Sequence, residues 1–198
     1  MSMDYQELQQ SWYFFLSLEK DLQETSRYIE PNGQEQAYSF EFYKIIMLAC
    51  TEIETAFKQI CNSIDEHNKC GHIGEYRSTI LEKYPRIVET LIFVPRWNGK
   101  NLYPFKDWEK RSPEWWAAHQ KIKHSRFSSL PKATYENAVT ALAALFVLIM
   151  YLYKINGYDC KIDESSYFEC EYGPQALYAR QPKELPDFEL DGEQGEKR

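Results

Sequence analysis

The chain has 198 residues, enough to bury one sizeable core and too few for two full domains. Hydrophobic residues make up 43% and aromatics 16%; this supplies ample packing material, while the polar balance of the remainder excludes a protein with several membrane spans. The formal net charge of −7 excludes indiscriminate attraction to nucleic acid, because phosphate contacts need accumulated positive charge.

Leu8, Trp12, Phe15, Leu18 (or Glu19) and Leu22 recur at three- and four-residue steps and predict a first helix from about Tyr5 to Arg27. Pro31-Asn32-Gly33 breaks it. A second helix is predicted from about Gln36 to Ile64, where Phe42, Ile45, Leu48, Ala49, Ile53, Ala56, Phe57 and Ile60 mark an apolar face. His67 to Gly74 reads as a loop. Tyr76–Lys83 and Arg86–Phe93 read as short helices separated at Pro85.

Pro95 to Pro113 carries Pro, Gly, Asn and aromatic residues in neither period, which predicts a long packed loop. A short helix is then expected from Glu114 to His124, with Ser112 as N-cap and Pro113 at the first helical position. The last strong helix should span Lys132 to Ile155. Its stretch Ala138–Tyr153 is apolar almost all round, but at about 24 Å it falls short of the roughly 30 Å of a bilayer core, so a central bundle helix is favoured over a membrane span. Tyr167–Tyr172, Gly173-Pro174 and Ala176–Arg180 suggest a small hairpin, and Glu184–Arg198 reads as a disordered acidic tail. The expected division is a helical domain over 1–156, a hairpin extension over 157–182 and an acidic tail over 183–198.

The five cysteines (Cys50, Cys61, Cys70, Cys160, Cys170) are scattered and odd in number, and the N-terminal residues lack the pattern of a signal peptide; the expectation is a reducing, cytoplasmic setting. His67, Cys70 and His72 lie close in sequence without a common zinc spacing, so neither metal nor cofactor is expected. Charge is uneven along the chain. Between Lys106 and Lys132 seven basic residues (Lys106, Lys110, Arg111, Lys121, Lys123, Arg126, Lys132) stand against three acids (Asp107, Glu109, Glu114), a basic island in an acidic chain.

Within that island, Trp115-Trp-Ala-Ala-His-Gln-Lys-Ile-Lys-His-Ser-Arg126 precedes the alanine-rich helix. A tryptophan-rich helix ending in Lys-His-x-Arg, a short turn, then a long Ala-Leu-rich helix resembles the signature region of HEPN-type proteins of bacteria and archaea. Ala49–Cys61 resembles their long second helix, which often holds an inward acid. The resemblance covers most of Phe40–Tyr153. It implies an all-α antiparallel bundle of about five helices, a homodimer in which the signature helices face each other, and a role in stress or phage defence.

Active members of that superfamily are metal-independent endoribonucleases with an Arg four to six residues before a His. His124 matches the His, but His119-Gln120 stands where the Arg and its following polar residue would be. The resemblance therefore implies a binding module, taking RNA or a nucleotide, ahead of a nuclease.

Metal-free RNA cleavage requires a proton acceptor for the ribose 2′-hydroxyl and a cation for the phosphate. His124 suits the first, and Lys123 or Arg126 the second. His119, Gln120 and Lys123 complete the candidate ligand-binding set. Alternatively, His124 simply ties two helices by a hydrogen bond. Glu52 is the acid whose phase places it among Ile45, Ala49 and Ala56, so it is expected buried and paired with Lys123, His124 or Arg126, whereas Glu54 should be a solvated partner of Lys58. Three functions compete: binding with self-association, endoribonuclease activity through His124, and a helical protein tethered to a membrane by Ala138–Tyr153.

Overall fold

The computed structural model describes residues 3–67, 70–158 and 186–188, a helical protein with one small antiparallel sheet. Helix α1 (Tyr5–Thr25) starts at a reciprocal cap: the Asp4 carboxylate accepts from the Glu7 N–H at 2.9 Å, and the Asp4 N–H donates to the Glu7 side chain at 3.0 Å. Helix α2 (Phe40–Ile64) starts at Ser39, whose hydroxyl accepts from the Phe42 N–H, so it begins later than the apolar pattern alone indicates. Helix α3 spans Ile73–Lys83 and helix α4 spans Glu114–His124. The four-residue α5 (Arg126–Ser129) and a 3-10 turn (Leu130–Lys132) lead to Thr134, the N-cap of α6 (Tyr135–Ile155).

Helix α6 is the centre of the packing, with α1, α2 and α4 against it. Every residue from Ala141 to Tyr153 is buried. At 21 residues it is about 31 Å long, so length alone does not separate it from a membrane span. Its burial distinguishes the two, since 83% of its most apolar window is enclosed by the rest of the fold.

Two expected elements take another form. Pro85–Glu89 is a 3-10 helix, and Ile92–Val94 leaves it as strand β1, pairing antiparallel with β2 (Lys100–Leu102) in the register Ile92↔Leu102 and Val94↔Lys100. The connection turns at Asn98 and Gly99, both with positive φ (49° and 67°), and a Cβ on Gly99 would stand 3.2 Å from the Phe93 ring. That Asn-Gly pair is the hairpin signal the sequence did carry. Further along, Pro113 itself is the N-cap of α4, with no side-chain capping bond, instead of the first helical residue behind Ser112.

The rest of Pro95–Pro113 is packed. Trp97, Phe105 and Trp108 are buried, and the Phe57 ring of α2 lies amid Tyr76, Phe105, Trp108 and Trp116 at centroid distances of 5.3, 6.3, 5.2 and 6.2 Å. The expected hairpin residues Tyr167–Arg180 and most of the expected tail lie outside the described residues. Pro186–Phe188, within that tail, is a 3-10 turn seated against Pro85–Glu89.

Candidate binding face on helices α4 and α5

Helix α4 is divided by its own sequence. Trp115, Trp116, Ala118, His119 and Ile122 point inward; Lys121, Lys123 and His124 point out. The inward row is anchored by the Trp115 indole N–H donating to the Pro104 carbonyl at 2.8 Å and by Trp116 against Phe57. Aromatic burial of this size fixes the helix in rotation, and its outer face follows.

The helix stops at Ser125, whose N–H donates to the Lys121 carbonyl at 2.9 Å; its backbone is non-helical, and the chain restarts as α5. Gln120 and His124 therefore lie one turn apart on α4, whereas Phe127 belongs to α5. Lys121, Lys123 and His124 occupy the last turn of α4, where cations meet the negative end of the helix dipole. Arg126 follows with its guanidinium 5.0 Å from the Phe127 ring centre, and Phe127 is 93% exposed. Lys132 closes the group on the turn that packs against α4 and α5.

Among the described residues, no acid pairs with Lys121, Lys123, Arg126 or Lys132. In the earlier part of the basic island, two of the three cations are paired: Lys110 meets Asp107 at 3.3 Å and Glu109 at 3.5 Å, and Arg111 meets Asp107 at 3.6 Å.

His119, expected on the ligand-binding side, is 3% exposed and packed on Trp116 with ring centres 5.2 Å apart. Burial, with the charge of Lys123 adding to it, lowers its pKa to about 4, while Glu54 acts in the opposite sense. It is thus a neutral imidazole at neutral pH and supplies no cation where the HEPN-type pattern has Arg. Gln120 is half-buried with its amide 3.5 Å from the His119 ring nitrogen.

Glu52 is half-buried instead of enclosed. Burial pushes its carboxyl above the ordinary value, and no described residue hydrogen-bonds or ion-pairs with it. The expected link to Lys123, His124 or Arg126 does not form. The cause is the true centre of the buried stripe on α2. Ile46, Cys50, Phe57 and Cys61 are core residues alongside Ile45, Ala49 and Ala56, so at about 100° per residue Glu52 and Glu54 fall on opposite shoulders of the stripe. The shoulder facing α4 is that of Glu54, whose field reaches His119 and Tyr76. Glu54 also holds the expected ion pair with Lys58, at 2.9 Å.

Glu19, offered by the sequence as an alternative to Leu18 in the inward row of α1 but not as a site residue, is 1% exposed and lines a cleft with Phe15, Leu22, Val94, Val139 and Leu142. Its spacing after Trp12 and Phe15 was the available signal. That cleft has no cationic side chain for a phosphate. Among the described residues, no group of three or more His, Cys, Asp or Glu is placed to hold a metal. His72 is engaged as the N-cap of α3, its ring nitrogen accepting from the Glu75 N–H.

No family model, curated protein or solved structure matches the chain.

Proposed function

We propose that the chain is a HEPN-like antiparallel helical bundle that acts by binding: it pairs with a second copy through the α4–α5 face and takes RNA or nucleotide phosphates there. The observation that carries this reading is the group Lys121, Lys123, His124, Arg126 and Lys132, exposed around the projecting Phe127 and unneutralised by any described acid in a chain of net charge −7. Lysine and arginine meet phosphate, an exposed ring offers a base a stacking surface, and Arg126 beside Phe127 presents both. A bound polyanion would also offset the repulsion between two such faces. The packing of α6 among α1, α2 and α4 supports the bundle, and its burial favours a core helix over a membrane tether.

Binding is favoured over cleavage because the position of the expected Arg holds the buried, neutral His119. The test is anisotropy of labelled single-stranded RNA against salt, with solution mass in parallel. Arg126→Ala should weaken binding and reduce the salt slope by about 0.7, and Phe127→Ala should weaken it further without loss of fold. RNA affinity unchanged in both variants would refute the reading. Cleavage by wild type that His124→Ala abolishes would establish the nuclease instead.

A further inference from the structure

Pro186-Asp187-Phe188 is held like a bound peptide against Pro85–Glu89. One Asp187 carboxylate oxygen accepts from the Arg86 backbone N–H at 3.0 Å, and the other accepts from the Tyr151 hydroxyl at 2.8 Å. Phe188 lies against two tyrosines, stacked on Tyr84 with ring centres 5.4 Å apart and edge-on to Tyr151 at 5.2 Å; the tyrosines themselves meet at 5.7 Å. Tyr151 is fully buried in α6 and Tyr84 is the C-cap of α3, so the receptor groups belong to the helical body.

Each part of this contact discriminates. A carboxylate accepting from two donors on different elements is fixed in direction as well as charge. The aromatic slot takes a planar ring. Burial pushes the Tyr151 phenol far above its ordinary pKa, so at neutral pH it remains a donor. Residues 159–185 separate this segment from the helical body, so its docking is a long-range, separately made contact.

We propose that Tyr84, the Arg86 backbone N–H and Tyr151 form a recognition site for a short Asp-aromatic segment, which the chain's own Asp187 and Phe188 fill in cis, closing it to similar acidic-aromatic segments of other chains. An intramolecular ligand competes as though present at roughly millimolar concentration. A full-length chain whose own segment cannot dock must therefore take up the free peptide more readily than wild type.

The test uses full-length wild type, a full-length Asp187→Ala/Phe188→Ala chain, and a fluorescein-labelled peptide of residues 183–190. The double variant should bind the peptide roughly tenfold more tightly than wild type. Adding Tyr151→Phe to it should weaken binding roughly tenfold, because a hydrogen bond to a charged group is lost. Thermal unfolding of each protein separates misfolding from loss of the site. Binding no tighter than that of a scrambled peptide overturns the proposal, as does equal affinity of wild type and the double variant. A wild-type dimer that the double variant fails to form would overturn the cis arrangement, because the segment would then sit in a second copy.

Discussion

His119 makes the stability of this protein depend on pH in a way that one substitution isolates. Its pKa is near 4 in the folded protein and about 6.5 in an unfolded chain, so between those values the unfolded state binds the extra proton and stability falls as the solution is acidified. With those two values the loss is roughly 2 kcal/mol between pH 7 and pH 5, and about 3 kcal/mol by pH 4. His119→Gln keeps a polar side chain at the site and removes the titration. It will have a lower stability at pH 7, because the contact with the Trp116 ring is lost. What matters is the change with pH. Urea unfolding at pH 7, 6 and 5 should show wild type losing roughly 2 kcal/mol more than the variant over that interval. Parallel pH profiles would mean that the imidazole protonates in place, and would refute its assignment as a buried, neutral packing residue.

Phe57→Ala should cost about 3–5 kcal/mol, since it removes the ring shared by Tyr76, Phe105, Trp108 and Trp116, and a urea midpoint at pH 7 will read it. A loss under 1 kcal/mol would show that the aromatic group repacks. Cys50, fully buried and with its thiol pushed well above the ordinary pKa by burial, should resist alkylation in the native protein and label completely once unfolded, read by site-resolved mass spectrometry. Native-state labelling at the rate of a free thiol would contradict its place in the core.

The helices, their approximate ends and the inward rows of α1 and α6 were legible in the sequence because they are local properties. A period of three to four residues, a capping side chain and a glycine or proline break act within a few residues of one another. The basic, aromatic segment around His124 was legible for the same reason, and its outer residues are indeed exposed. Even the hairpin had a local cue in Asn98-Gly99, although strands of three residues are too short for alternation to declare them.

Tertiary structure decided which of several locally equivalent residues meet a partner. Glu52 and Glu54 stand on opposite shoulders of the buried stripe of α2, and the direction of α4 relative to α2 brings Glu54, and not Glu52, close enough to act on His119. His119 and His124 lie on one short helix, and only the position of Trp116 and its neighbours makes one a buried neutral ring and leaves the other in solvent. The seat of Asp187 and Phe188 is formed by Tyr84, Arg86 and Tyr151, residues distant from them in the chain. A sequence carries propensity and phase along one dimension; the energy of burial, which depends on what surrounds a group in three, is settled when the elements pack.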